Sequence, residues 1–273
     1  MQVRGAIPYH LRMNDDEQGM FTVDPKDDSL TTVAGGLHAR VLERLGLAIC
    51  GQELTTGSVM KIEDIERQYG ASRSVIREAV RVLESMGLVT SRRRVGVLIQ
   101  APSEWNLYDP QVIRWRLASR ARVTQLRSLT ELRTAIEPEA ARLAAIRSPL
   151  TNASDLMGLS GQLWAAGEAG DQGLFLTLDI QFHSLVLASS GNEMFAKLDS
   201  LVGEVLAGRT NYGLMPNHPH EEALQLHVDV ASAIQRGAPD AAQSAMLRIM
   251  QRTMEEMAHL WDAPHQNGEF IRR

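Results

Sequence analysis

The chain has 273 residues, 44% of them hydrophobic and 22% charged, so it is long enough for two domains and apolar enough to bury a core. One cysteine, Cys50, excludes an intrachain disulfide framework and a zinc site built from several cysteines. No apolar run reaches the roughly 18 residues of a membrane span, and the N-terminus has no signal-peptide pattern. These features predict a cytoplasmic protein with no membrane partner.

The net charge of −5 argues against nucleic acid as a partner until it is divided along the chain. Residues 1–34 contain three basic and six acidic side chains without periodicity, which predicts a flexible N-terminal tail. Residues 35–101 contain ten basic and seven acidic side chains, a net of +3, whereas residues 102–273 contain fifteen and twenty, a net of −5. The sequence therefore predicts a small basic module followed by a larger acidic one.

Three helices are predicted in the basic module. The first runs from Leu37 to Cys50, a short second one from Lys61 to Tyr69, and a third from Arg73 to Met86. Between the last two, Gly70 suits a left-handed helix end and Ser72 suits an N-cap. A short helix, a tight turn and a longer helix form the helix-turn-helix arrangement, whose second helix enters the major groove of DNA.

Arginines follow the third helix and the segment behind it. Arg73, Arg77 and Arg81 recur every four residues, so they share one side of a helix with a pitch of about 5.4 Å. After Gly87, two apolar runs flank residues 92–94, all arginine, which predicts a β-hairpin wing with a basic tip. A solvated helix face is the alternative, but the helix-turn-helix pattern favours contacts with phosphates and guanine edges.

The segment SRSVIREAVRVLESMGLV, with a basic hairpin that ends in GVLI, resembles the winged helix-turn-helix of GntR-type bacterial transcription regulators. Residues 35–101 are therefore predicted as a domain that binds double-stranded operator DNA. The resemblance implies the following DNA-binding residues: Ser72, Arg73, Arg77, Arg81, Arg92, Arg93, Arg94 and Gly96. Gly96 is expected to let the wing approach the duplex. Two positions depart from the family pattern: residues 60–63 replace Pro-Ser-Glu, and Arg94 replaces the first glycine of the wing.

The acidic module shows helical periodicity almost throughout and no convincing alternating strand, which predicts an all-α bundle of about seven helices. Residues 102–122 are expected to form a linker and junction helix, 123–262 the bundle, and 263–273 a C-terminal tail. The segments LTELRTAIEPEAARLAA, LDIQFHSLVLASSGN and LHVDVASAIQRG resemble the effector-binding (FCD) domain of the FadR-type branch of GntR regulators. The fold is therefore expected to be mainly α, with a small β-hairpin wing in the N-terminal domain.

Three residues of the bundle have the character of metal ligands. Asp179 and His183 are four residues apart, so both project from one face of a helix, and His227 lies on a later helix. One carboxylate and two imidazoles suit an open divalent-metal site, although a surface ion pair is the alternative. The matching positions are metal ligands in the FCD branch, which implies a cofactor such as zinc. Metal-binding members carry a further histidine where this chain has Ile249, so weak binding, binding mainly with effector, and no metal all stay open.

Arg133 lies on an otherwise apolar helix face, where a guanidinium is costly unless it is paired. Its partner is either Glu137, one turn on, or a ligand carboxylate gripped in bidentate fashion. Arg209, Thr210 and Asn211 end another helix with groups suited to hydroxyls, although a capping sequence would look the same. Because the family's effectors are mostly small carboxylic acids, the resemblance implies an effector site at Arg133, Arg209, Thr210 and Asn211.

The junction EWNLYDPQVIRW, residues 104–115, resembles the subgroup of sugar-acid regulators that includes galactonate-operon repressors. Simple packing of Trp105 and Trp115 between the domains is the structural alternative. The chain is accordingly expected to be a homodimeric repressor controlled by a sugar acid, with no catalytic residues. A metal-dependent helical enzyme acting on a small carboxylic acid is the alternative, but the chain has no HExxH, GxSxG or glycine-rich phosphate loop. An interaction scaffold is a third possibility, and it leaves the row of arginines unexplained.

Overall fold

The computed structural model describes residues 36–215 and 219–261, and the predicted tails lie outside these ranges. The elements in chain order are α1 (Leu37–Cys50), β1 (Val59–Met60), α2 (Ile62–Tyr69), α3 (Arg73–Ser85), β2 (Val89–Arg92), β3 (Gly96–Ile99), α4 (Pro110–Leu117), α5 (Arg122–Arg147), α6 (Leu150–Ala169), α7 (Gln172–Ser189), α8 (Glu193–Ala196), α9 (Asp199–Asn211), α10 (Glu221–Gln235), α11 (Pro239–Glu256) and α12 (Ala258–Trp261). Within the described ranges, no helix is long and apolar enough to cross a membrane. The prediction of a mainly α chain with a small wing is confirmed.

The helix-turn-helix forms as its local signals predict. Gly70 ends α2 with the left-handed angles φ 59° and ψ 29°, which a residue without a Cβ adopts at no steric cost. Ser72 occupies the N-cap of α3 in extended conformation, but its hydroxyl lies 3.0 Å from Ser74 Oγ and makes no capping hydrogen bond within the described chain. Lys61 and Met86, predicted as terminal helical residues, are instead the caps of α2 and α3.

The wing belongs to a three-stranded antiparallel sheet of order β1-β3-β2. Strands β2 and β3 form the predicted hairpin, in which Arg92 lies opposite Gly96. Strand β1 adds Val59 and Met60 to the other edge of β3, and this strand was not predicted. A two-residue strand has no periodicity of its own, so it becomes visible only through its pairing with a distant segment.

Helix α4 joins the two modules because its faces belong to two different cores. Trp115, 1% exposed, packs on α1, where its Nε1 donates to Glu43 Oε2 at 2.8 Å. Gly46 of α1 lies against the indole, and a Cβ at that position would be 2.5 Å from ring atoms. On the other side, Arg114 donates to both carboxylate oxygens of Glu204 on α9, at 3.2 and 2.9 Å. The helix is therefore held to both modules by polar contacts as well as by packing.

The bundle surrounds α7, which packs against α5, α6 and α9. Phe182, Val186 and Leu187 of α7 are fully buried in the core of this domain. Burying such a side chain contributes about 1.5–3 kcal/mol to stability. Asp179 and His183 are buried on the same central helix, and buried polar groups of this kind require partners inside the protein. The functional question is therefore what those partners are.

The only cysteine of the chain is Cys50, at the end of α1. It is 2% exposed and packs in the core of the basic module, as its position on the apolar stripe of α1 indicates.

Candidate functional site

Asp179 and His183 of α7 meet His227 of α10, and all three side chains are more than nine-tenths buried. Asp179 Oδ1 lies 3.4 Å from His183 Nε2 and 3.2 Å from His227 Nε2. Two donors that are each about 2.1 Å from one metal ion, at angles of about 90–109°, lie about 3.0–3.4 Å apart. These spacings therefore fit a shared divalent ion, and the structure brings the predicted cluster together.

The second nitrogen of each imidazole faces a fixed oxygen. His227 Nδ1 is 2.7 Å from the carbonyl oxygen of Ala223, and His183 Nδ1 is 2.5 Å from Glu137 Oε2. For His227, a proton on Nδ1 directed at this carbonyl leaves the Nε2 lone pair available on the Asp179 side. His183 Nδ1 is in ion-pair contact with Glu137 without making a hydrogen bond of regular geometry. The donor set therefore fits a metal, and Glu137 orients His183 within it.

Charges inside the cluster favour a cation at its centre. Burial opposes ionisation of Glu137, but Arg133 and His183 lower its pKa to about 2. Burial likewise opposes ionisation of Asp179, yet the two histidines hold its pKa well below the usual range. Burial lowers the pKa of His183, and the two carboxylates outweigh this and raise it to about 9. Both carboxylates are thus ionised and face a proton on His183 or a bound cation.

Ile249 of α11 lines the same space at the position where the family resemblance places a further histidine. Its side chain has no donor atom for a metal. Three protein donors therefore remain among the residues that the structure describes, and water or a ligand would complete the coordination of an ion held by them.

The cluster lies in a cavity bordered by α5, α7, α9, α10 and α11. This cavity contains about 520 Å³ of unfilled space, part of it open to solvent. Its apolar lining includes Phe175, Leu206 and Ile249. Its polar lining is Arg133, Asp179, His183, Arg209, His227, Arg252, Thr253 and Glu256.

Arg133 reaches the cavity from α5 and is 2% exposed. Its Nε donates to Glu137 Oε1 at 2.5 Å and its Nη2 to Glu137 Oε2 at 3.4 Å, so the expected structural partner is present. Its Nη1 is buried and has no hydrogen-bond partner among the described residues. The guanidinium can therefore bind a ligand carboxylate without releasing Glu137.

Arg209, Thr210 and Asn211 have different surroundings. Arg209 is buried in the cavity wall, with its Nη1 3.4 Å from Thr253 Oγ1 and its Nη2 2.9 Å from Glu256 Oε2. Burial and Arg133 lower the pKa of Arg209, while Glu256 opposes them. Thr210 donates to the carbonyl oxygen of Leu206 and lines only a smaller neighbouring pocket.

The structure does not bring Asn211 to the cavity, and its side chain is exposed. Neighbouring residues on an α-helix, with 3.6 residues per turn, point about 100° apart. The side chain of Asn211, two positions after Arg209, therefore points about 200° from that of Arg209 and away from the bundle.

Three polar residues of the cavity, Arg252, Thr253 and Glu256 of α11, were not predicted from the sequence. With Ile249 they follow a spacing of three, four and seven residues, which is the spacing of one helix face. That spacing was the sequence signal that could have identified these three residues, because it places them on the same helix face as Ile249, where the family resemblance places a histidine.

On the basic module, Arg73, Arg77 and Arg81 lie on the exposed side of α3, as predicted. Arg73 Nη2 is 2.9 Å from Glu63 Oε1, and Arg81 Nη1 is 2.6 Å from Glu78 Oε1. Exposed ion pairs of this kind contribute little to stability, so these side chains remain available to phosphates.

The tip of the wing exposes Arg93 and Arg94 next to Arg92. Arg94 has a φ of 65°, in the left-handed region that the family's glycine would adopt without strain. Gly96 has a φ of 129°, and a Cβ there would lie 2.5 Å from the carbonyl oxygen of Met60. Glycine is therefore required at this position by β1 inside the sheet, which is a different reason from the predicted approach to DNA.

Comparisons with known proteins match both parts of the chain. The family described as "Bacterial regulatory proteins, gntR family" matches residues 37–99 and the "FCD domain" matches residues 128–252, together more than half of the chain. The chain is 27% identical over 215 residues to the galactonate operon transcriptional repressor of Escherichia coli (strain K12), covering 77% of this chain and 92% of that protein.

It is also 25% identical over 242 residues to the probable D-xylose utilization operon transcriptional repressor of Paenarthrobacter nicotinovorans, covering 87% of this chain and 92% of that protein. A solved structure of Lar, which controls expression of the Listeria monocytogenes agr system, has the same fold. It is 16% identical, has a TM-score of 0.56, and the match covers 83% of this chain and 98% of that one.

The matched families and the relatives are regulators of transcription, so the alternative of a metal-dependent enzyme is not supported. The gntR match falls on the helix-turn-helix with its exposed arginines, and the FCD match falls on the bundle that contains the cavity. The chain therefore belongs to the GntR family of bacterial regulatory proteins, as a DNA-binding transcriptional regulator with an FCD domain.

Proposed function

We propose that this regulator is a repressor that leaves its operator when a small sugar acid binds in the FCD cavity together with a divalent metal. One observation carries the proposal: Arg133, whose Nη1 has no hydrogen-bond partner among the described residues, lines the same cavity as the Asp179, His183 and His227 donor set. An acid with a neighbouring hydroxyl matches both features. The relative named as the galactonate operon repressor supports this class of ligand, since galactonate is a sugar acid.

Each part of the cavity has a role in this proposal. A divalent cation such as zinc, held by Asp179, His183 and His227, would supply a Lewis-acid contact for the carboxylate and hydroxyl oxygens of the acid. Arg133 binds the carboxylate, and Glu137 holds both Arg133 and His183 in place. The apolar part of the cavity lining lowers the local dielectric constant, which strengthens these contacts.

DNA binding uses the arginines of α3 and of the wing tip in two copies of the chain. A homodimer presents two such helices to the halves of a near-palindromic operator. The basic module has a net charge of only +3, so affinity depends on a few placed arginines and on dimerisation. Ligand releases the operator only if it binds more tightly to a dimer arrangement that misplaces these helices.

The proposal predicts a ligand response that depends on Arg133. Fluorescence anisotropy of labelled DNA from upstream of the protein's own gene measures operator affinity with each of a panel of sugar acids, with zinc or with chelator. At least one acid should weaken binding by about 5- to 150-fold when zinc is present, the range of typical allosteric couplings. Arg133→Ala should abolish this response and preserve binding to DNA.

Arg142→Ala is the matched control, since Arg142 lies on the same helix in an ion pair with Glu139 and outside the cavity. It should respond to ligand as the wild type does. Full operator affinity at saturating concentrations of every acid, with and without zinc, would contradict the release mechanism. A response that survives Arg133→Ala would remove Arg133 from the site.

A further inference from the structure

Buried nitrogens without a hydrogen-bond partner are concentrated at the FCD cavity. Within the described part of the chain they include Arg133 Nη1, Arg209 Nε and Arg252 Nε, and all three side chains line the cavity. They come from three different helices, α5, α9 and α11. Buried donors are almost always paired in folded proteins, so three at one cavity indicate acceptors supplied by a ligand.

Arg133 and Glu137, together with Asp179, His183 and His227, form a first group, which we call the metal seat. Glu137, the partner of Arg133, also contacts His183, so Arg133 lies beside the proposed metal ligands. With a divalent ion bound, the positive charges of the ion and of Arg133 face the carboxylates of Glu137 and Asp179. One positive charge then remains, and a single ligand carboxylate would balance it.

Arg209 and Arg252 form a second group with Thr253, which we call the far seat. Arg209 contacts Thr253 and Glu256, and Arg252 Nη2 lies 4.0 Å from Glu256 Oε1. Thr253 and Glu256 follow Ile249 by four and seven residues, which corresponds to about 6 and 10 Å along α11. Ile249 lines the same cavity, so Thr253 and Glu256 lie one to two helical turns from it along α11.

The far seat also has an excess of positive charge. Arg209 and Arg252 share Glu256, and Arg252 and Arg248 share Glu222, with Arg252 Nη1 2.6 Å from Glu222 Oε2. Among the side chains that line this end of the cavity, two guanidinium groups thus face one carboxylate, because Glu222 and Arg248 lie outside the cavity and pair with each other. One positive charge is left over at the end of the cavity where the Nε atoms of Arg209 and Arg252 are unpartnered within the described residues.

We propose that the effector is a dianion, with a carboxylate at the metal seat and a second anionic group, held by Arg209 and Arg252, at the far seat. A six-carbon aldaric acid has this chemistry, and so does an aldonic acid phosphorylated at its far end. An unmodified aldonic acid places a neutral hydroxymethyl group at the far seat and leaves its charge unbalanced. This inference rests on the proposed function, because it defines the ligand class of the same cavity.

Calorimetric titration of the full chain in the presence of zinc tests the inference with three matched probes: galactonate, galactarate and galactonate 6-phosphate. Galactarate or the phosphate should bind at least about tenfold more tightly than galactonate, because only these two place a charge at the far seat. The tighter of the two identifies the second group as carboxylate or phosphate. Galactonate binding as tightly as both would overturn the inference and leave the proposed function standing. If none of the three binds, the sugar-acid effector and this inference fail together.

Variants of α11 show whether the far seat is responsible. Arg252→Gln should reduce the preference over galactonate to within about threefold, and Arg248→Gln should preserve it, since Arg248 contacts the same Glu222 but lies outside the cavity. The Arg252 side chain is 23% exposed at the edge of the cavity, so its replacement leaves the core intact. Arg209→Lys is a second variant and should also weaken the preference. A preference that survives both Arg252→Gln and Arg209→Lys would overturn the proposal.

Discussion

Gly46 allows α1 and α4 to approach each other because it lacks a side chain. The indole of Trp115 occupies the space beside it, and a Cβ at Gly46 would lie 2.5 Å from three ring atoms. The same indole donates to Glu43, one turn before Gly46 on α1. A single absent methyl group thus permits both the packing and the hydrogen bond that join the two modules.

Gly46→Ala should lower the free energy of unfolding by about 1–3 kcal/mol, because α1 or the indole must shift to admit the new carbon. Urea unfolding measures this loss. Gly158→Ala is the control, since Gly158 lies within α6 with no atom in reach of an added Cβ. Alanine there should stabilise the protein by up to about 1 kcal/mol, owing to its higher helix propensity. Equal free energies for the two variants would contradict the close contact.

Residue spacing and the family resemblance together predicted the cluster of Asp179, His183 and His227, but not its surroundings. Asp179 and His183 share a helix face by their spacing, and His227 followed from the family resemblance. Glu137 was predicted only as a partner of Arg133, because its contact with His183 joins two helices that are distant in sequence. Contacts between elements depend on how helices pack, which spacing along one helix does not define.

The elements of the basic module differ in how visible they are in the sequence. Helix α3 follows from its apolar periodicity and from the turn at Gly70, which are local signals. Strand β1 depends on pairing with β3, and the same pairing accounts for Gly96. The wing is consequently a sheet of three strands, and Arg94 at its basic tip is held in a left-handed conformation.

Arg94→Gly should change folding and DNA binding in opposite directions. Glycine relieves the left-handed backbone, which should stabilise the fold by up to about 1 kcal/mol in urea unfolding. Loss of a phosphate contact should weaken operator binding and make the plot of log affinity against log salt shallower by about 0.9. Arg93→Gly should weaken DNA binding similarly without stabilising the fold, because Arg93 has no positive φ. An unchanged salt slope in both variants would show that the wing tip does not touch phosphate.

Across the whole molecule, α9 contributes to both the cavity and the junction. Arg209 of this helix lies in the cavity, and the preceding Gly208 lies against Leu117 of α4, where a Cβ would be 2.8 Å from the leucine side chain. One turn earlier, Glu204 binds Arg114 of α4. A displacement of α9 by ligand would therefore move α4, which is joined to α1 through Trp115.

Arg114→Ala should reduce the transmission of ligand binding to the operator. Anisotropy with labelled operator DNA should show unliganded affinity within about threefold of wild type, and a smaller loss of affinity on adding zinc and the tightest sugar acid. Arg127→Ala, which breaks an exposed pair with Glu131 inside α5, should respond as wild type does. An undiminished response in Arg114→Ala would show that the signal does not pass through this pair.

Cys50 ends α1 in the same core that receives Trp115. Burial raises the pKa of its thiol to about 12, although Arg116 opposes this, so almost none of it is thiolate at neutral pH. Because the chain has no other cysteine, a thiol reagent finds no reactive sulfur while α1 stays packed. The rate at which a thiol reagent modifies Cys50 therefore measures how often α1 separates from the rest of its core.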